Sequence, residues 1–146
     1  IYVVGLFAGT IDFDPSGVTA NLTSVSSTAD FYVAKYTPIG KYNWGINVGA
    51  TGFFSIDIAN VAVDKLGNVV VAGRFGGTAD FDPDLPVANK TTTGILDGYV
   101  VSYSDQGKYQ WAINFNSLIM GIGGLEVDGA GNIFLAGSIQ NATDMD

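Results

Sequence analysis

The chain has 146 residues, a net charge of −8, and neither Cys nor His. The acidic balance argues against nucleic acid and anionic lipid as partners, since both are held through Lys/Arg clusters. The missing residues exclude a disulfide scaffold, a thiolate metal site and a histidine general base.

An apolar fraction of 47% is enough for a core. The 20 Gly, and acids that are all Asp except Glu126, favour turns over helices. No run of about 18 apolar residues exists, so membrane insertion through a helix is not expected. There is no basic-then-apolar leader, and the chain opens inside a predicted strand. It reads as an excerpt of a longer polypeptide.

The first predicted strand is Ile1-Tyr-Val-Val-Gly-Leu-Phe7, followed by Asp30-Phe-Tyr-Val-Ala-Lys-Tyr36 and the run through Trp44. The next unit holds Asn60-Val-Ala-Val-Asp64, Asn68-Val-Val-Val-Ala-Gly-Arg-Phe75, Gly98-Tyr-Val-Val-Ser-Tyr-Ser104 and Tyr109-Gln-Trp-Ala-Ile-Asn-Phe115. Each run is of strand length, β-branched or aromatic, and bounded by Gly, Asp or Asn. Asp64-Lys-Leu-Gly-Asn68 and Ser104-Asp-Gln-Gly-Lys108 close two tight hairpins, with Gly where the chain needs a positive φ. A third unit starts near Leu125 and continues into Ile133-Phe-Leu-Ala-Gly137.

These units repeat. Gly5-Leu-Phe-Ala-Gly-Thr-Ile-Asp-Phe-Asp-Pro15 returns as Gly73-Arg-Phe-Gly-Gly-Thr-Ala-Asp-Phe-Asp-Pro83, and Gly40-Lys-Tyr-Asn-Trp-Gly-Ile-Asn47 as Gly107-Lys-Tyr-Gln-Trp-Ala-Ile-Asn114. Val61-Ala-Val-Asp-Lys-Leu-Gly-Asn68 returns as Leu125-Glu-Val-Asp-Gly-Ala-Gly-Asn132, so the period is 68 residues in the first copy and 64 in the second. Runs such as Val69-Val-Val-Val-Ala72 are apolar on both faces and must be covered on both. Four antiparallel strands covered on both faces and repeated in tandem describe an all-β fold of β-propeller blades. A β-solenoid fits less well, because its coils are shorter and lack two hairpins each.

The expected organisation is a partial blade with the last three strands at 1–58, a complete blade at 59–123 and the start of a third at 124–146. Propellers close with about 4–8 blades, so the remaining blades belong to the same polypeptide or to associated copies.

The string from Ile58 to Pro83 and the segment Asp30–Trp44 resemble the SBBP-type β-propeller repeat of bacterial secreted proteins. The resemblance implies an extracellular or bacterial cell-surface protein, associated with bacteria that frequently use the type IX secretion route, and implies no general enzymatic activity. Separately, Tyr99–Trp111, ending Gly-Lys-x-x-Trp, is similar to the docking motif of quinoprotein propellers, in which the Trp packs flat between blades. Shared blade geometry explains this likeness without a quinone. Trp44 and Trp111 are accordingly expected to be mostly buried wedges in equivalent positions.

Asp12, Asp14, Asp80, Asp82 and Asp84, with Asp144 and Asp146 in the third copy, are the candidate metal ligands, because closely spaced carboxylates suit Ca²⁺. Asp80, Asp82 and Asp84 match the first carboxylates of an EF-hand loop, but Leu85 and Thr91 stand where Gly and Glu are needed. The first copy has Gly17 but Thr23, so neither is an EF-hand. The competing reading has Phe13 and Phe81 plugging the blade edge while the flanking Asp residues accept turn N–H groups. Asn21-Leu-Thr, Asn89-Lys-Thr and Asn141-Ala-Thr match the glycosylation acceptor pattern, which arises readily by chance here. Gly73–Gly77 and Gly121–Gly124 lack the Lys-Ser/Thr ending of a phosphate cradle.

No catalytic residue or bound cofactor is expected, with calcium as the sole possible addition. The expected function is a non-catalytic scaffold, adhesive or protein/glycan-interaction surface within a larger secreted protein. Two alternatives stand beside it: part of a propeller enzyme acting on polysaccharide whose catalytic residues lie in other blades, and secreted cargo held in a larger secretion or surface complex.

Overall fold

Period-two patterning with both faces apolar leads to stacked antiparallel sheets, and this is what the computed structural model shows. It describes residues 1–26, 28–52, 56–84, 88–115 and 118–140, with the side chains of 118–120 and 140 outside the description. Among these residues every regular element is a strand. Asp144, Asp146 and the Asn141 acceptor triplet lie outside the described residues.

The first sheet has the order β1-β4-β5, from β1 (Tyr2–Phe7), β4 (Asp30–Tyr36) and β5 (Tyr42–Val48). The second has four strands in the order β11-β10-β7-β6: β6 (Asn60–Val63), β7 (Val69–Phe75), β10 (Asp97–Tyr103) and β11 (Tyr109–Phe115). A third pairs β12 (Leu118–Val127) with β13 (Ile133–Gln140). β12 starts ahead of residue 124, where the repeat places the third unit, and register shifts at Ile119/Gly121 and Ile122/Gly124 mark where it departs from the compact β6 pattern.

Gly67 and Gly107 take φ of +84° and +77°, as the tight hairpins require. Asp64 Oδ1 accepts the N–H groups of Leu66 and Asn68, both at 2.8 Å, and the Asn68 carboxamide bonds Oδ2 at 2.7 Å. Asp128 repeats the arrangement with Ala130 and Asn132. These Asp-x-x-Gly-Asn turns satisfy backbone donors locally and fix the register of the strands they join.

Between the second and third strands of each of the first two blades lies a small hairpin that the strand reading did not anticipate: β2 (Thr10–Asp12) with β3 (Asn21–Thr23), and β8 (Thr78–Asp80) with β9 (Asn89–Thr91). Three residues per strand are too few to show alternation, and the Asp-Phe-Asp motif read as a loop.

The core runs across the sheets. Phe31, Val33, Ile46 and Val48 of the first sheet form one cluster with Val69, Val71, Tyr99, Val101 and Tyr103 of the second. The opposite face of the second sheet, through Val70, Ala72 and Val100, packs on Leu125 and its neighbours in β12 and β13. Val69, Val70, Val71 and Ala72 are therefore all buried, each odd–even pair facing a different blade. Every residue of β10 is buried for the same reason.

Candidate functional site

Antiparallel order sends the two ends of each blade to different faces. One face carries the tight turns 64–68 and 104–108. The other carries residues 51–52 and 76–78, which bond each other: Thr51 N–H donates to the Thr78 carbonyl and Gly52 N–H to that of Gly76, both at 2.9 Å.

On the turn face, Asp105 organises the contact between the first two blades. Its carboxylate pairs with the Lys35 ammonium and accepts the Tyr2 hydroxyl at 3.0 Å, while its carbonyl accepts Trp44 Nε1 at 2.9 Å. The Lys35 ammonium, followed by the Tyr2 hydroxyl, holds the Asp105 carboxyl below its ordinary range. Ser102 and Pro38 stand where the repeat would put Lys35 and Asp105, so this pair is private to one junction.

Trp44 is half-buried against the core cluster, whereas Trp111 is 36% exposed. The expectation that both are mostly buried therefore fails for Trp111. The reason is physical: Trp44 has the Ser104–Lys108 turn of the next blade against it, and no equivalent turn lies on Trp111 among the described residues.

In the small hairpins, Asp12 Oδ1 accepts the N–H groups of Asp14 (3.0 Å) and Ala20 (2.9 Å), and Asp14 Oδ1 that of Ser16 (2.8 Å). Asp80 Oδ1 accepts Asp82 N–H (3.1 Å) and Ala88 N–H (3.2 Å), and Asp82 Oδ1 that of Asp84 (3.0 Å). Asp84 Oδ2 meets the Lys108 ammonium at 3.0 Å. The Ala20 and then the Asp14 N–H lower the Asp12 carboxyl from its ordinary value. Among the described residues no three acidic side chains converge as a cation site would require. Phe81, fully buried, packs against Phe75 and Tyr99, and its carbonyl accepts the Tyr103 hydroxyl at 2.9 Å. Phe13, Phe7 and Tyr32 repeat the cluster in the first blade.

Two further features were not singled out from sequence. Asp30 is fully buried and accepts from Val25 N–H, Ser26 N–H, Ser26 Oγ–H and the Asn47 carboxamide. Asp97, 1% exposed, bonds Thr93 N–H in the second blade. Asp30 begins a predicted strand and Asp97 directly precedes one, and this recurrence was the available signal. Asp57 and Arg74 form a forked pair, with Nη2 to Oδ2 at 2.6 Å and Nε to Oδ2 at 3.0 Å. They border a cleft of about 350 Å³ that Leu6, Ile56 and Leu96 help line. Leu6 replaces Arg74 in the first blade and Gly121 replaces Asp57 in the third, so the pair breaks the repeat.

The blade reading has outside support. The chain is 28% identical over 139 residues to an uncharacterized WD repeat-containing protein of Acanthamoeba polyphaga mimivirus, a match that covers 88% of this chain and 10% of the relative. It thus spans about a tenth of that relative's length. No family model matches the chain, and no solved structure matches it with significance. WD repeats form four-stranded propeller blades. Neither Trp here is followed by Asp, so the likeness lies in the blade and not in the dipeptide that names the repeat. The chain is all-β, and its antiparallel sheets are consistent with propeller blades.

Proposed function

We propose that this chain is a non-catalytic stretch of β-propeller that serves as an interaction scaffold, with the loop face as its contact surface. One observation carries the reading. The two blades share a continuous buried core and a private ionic junction, while the same Asp-capped hairpin recurs in both. A rigid base with repeated projections suits recognition of a partner.

The similarity to a WD repeat-containing protein supports the scaffold reading. Resemblance of the repeat to bacterial secreted propellers supports a place at the cell surface, within a larger polypeptide whose other blades complete the ring.

Site-specific photo-crosslinking tests the surface assignment. A photoreactive residue at Thr51 or Ser26 on the loop face should trap a partner protein in the source cells. The same residue at Leu66, exposed on the turn face, should not. Trapping at Leu66 alone would overturn the assignment.

A further inference from the structure

A cleft of about 410 Å³ lies between the first two blades, and Asp80 and Asn89 of the second blade line it, a pair whose counterparts in the first blade stand in the same register. Strands β8 and β9 set Asp80 opposite Asn89, and strands β2 and β3 set Asp12 opposite Asn21. Directly opposed residues project from the same side of a hairpin. Asp80 and Asn89 form one wall of the cleft, Val25 and Ser26 of the first blade another, and Ala50 and Thr51 contribute from the connection between blades.

The hydrogen bonds to the Asp80 carboxylate all end on Oδ1, from Asp82 and Ala88. Oδ2 has no protein donor among the described residues, and neither does the Asn89 carboxamide have a partner there. Asp12 and Asn21 show the same economy, with both bonds on Oδ1 of Asp12. The capping work is done by one oxygen, and the other is left for a ligand.

A carboxylate oxygen accepts only, while a carboxamide both donates and accepts. Side by side they match two neighbouring hydroxyls, each of which needs to give one hydrogen and receive another. Among the described residues no Lys or Arg lines the cleft, so a carboxylate, sulfate or phosphate would meet Asp80 without compensation. Val25 and Ala50 offer apolar surface to the C–H groups of a ring, and the volume lies in the range of small-molecule sites.

We infer that this cleft binds a neutral pyranose of a glycan, with Asp80 Oδ2 and the Asn89 carboxamide holding a vicinal pair of hydroxyls. The Asp12–Asn21 pair offers the same recognition element again, so one glycan chain or several are gripped at repeated points. The inference rests on the interaction-scaffold reading and supplies a ligand class for its loop face.

The test uses the full chain with methyl α-mannoside, methyl β-galactoside and methyl β-N-acetylglucosaminide, and methyl glucuronide as charged control, followed by saturation-transfer NMR and calorimetry. At least one neutral glycoside should bind with a millimolar dissociation constant, and the glucuronide should bind more weakly. Asn89→Ala should weaken binding about tenfold, the effect of losing a hydrogen-bonding group, with Tm unchanged because this side chain makes no internal bond. Absence of binding by all three neutral sugars would overturn the inference, as would equal affinity for the glucuronide or an Asn89→Ala variant that binds like the parent. A protein partner trapped at Thr51 or Ser26 while no sugar binds would leave the scaffold reading standing and remove only the glycan inference.

Discussion

The Trp44 indole lies on Gly107: a Cβ built at that glycine would come within 2.8 Å of the ring, and Trp44 Nε1 donates to the neighbouring Asp105 carbonyl at 2.9 Å. One blade thereby docks on the turn of the next by a flat aromatic surface and one directed bond. Gly40, the repeat equivalent of Gly107, has nothing within 4 Å of the same built atom. The two glycines share a left-handed backbone, with φ of +82° and +77°, and differ in what covers them.

That contrast gives a paired prediction. Gly40→Ala should cost about 1 kcal/mol, from the left-handed backbone alone. Gly107→Ala should cost about 1–2 kcal/mol more, because the added methyl also displaces Trp44. Trp44→Ala should cost about 2–4 kcal/mol and Trp111→Ala about 1 kcal/mol, in line with their burial. Denaturant unfolding of the four variants checks the order.

The Asp105 junction should make stability depend on pH. The Lys35 ammonium and the Tyr2 hydroxyl depress the Asp105 carboxyl, and the Asn132 carboxamide and N–H donors of the turn depress Asp128. At Asp64 burial opposes the charge, but the bonds from Asn68 and Leu66 prevail and the carboxyl is again lowered. A depressed folded-state pKa contributes stability that is present above the unfolded value near 3.8 and lost as pH falls through the folded value. Tm should therefore drop progressively below about pH 4. Asp105→Asn should reduce that dependence and Lys35→Met should reduce it by the same route, as a double-mutant cycle across pH will show.

Asp30 anchors the entry to β4 through four donors in a fully buried site. Asp30→Ala leaves these donors without acceptors and should destabilise by about 3–5 kcal/mol. Asp30→Asn keeps one oxygen and its shape, and should cost clearly less. Thermal unfolding of both variants separates the loss of an acceptor from the loss of packing.

Calcium and chelator should leave Tm unchanged. Asp12 and Asp80 each commit Oδ1 to two backbone N–H groups, and Asp14 and Asp82 each commit theirs to the residue two positions on. A closed cation site needs six to eight oxygens around one point. A rise in Tm that saturates with added calcium would instead show that these turns bind the ion.

Much of the blade was legible because strand periodicity and turn chemistry are local. Val69–Phe75 and Tyr109–Phe115 read as strands from branching and spacing, and Gly67 and Gly107 marked hairpins because only a residue without Cβ enters that conformation freely. Repetition added the long-range term, since a doubly apolar strand copied in tandem has to be covered by its own kind.

Tertiary structure decided what local pattern leaves open. Lys35 and Asp105 are remote in sequence, and nothing at either position announces the other; they meet because the first blade packs its Phe31 ring parallel to Tyr99, at 5.8 Å between centroids. Trp44 and Trp111 are indistinguishable as letters and differ only in what the neighbouring blade lays on them. The partnership of Asp80 with Asn89 likewise depends on the pairing of two three-residue strands across a loop, and the cleft they face exists only between blades. The sequence by itself determined the blade and its repeat, because those follow from contacts within a few residues or between identical units. The junction, the exposed Trp and the cleft had to wait for the packing of one blade on another, which sets the contacts that no local rule contains.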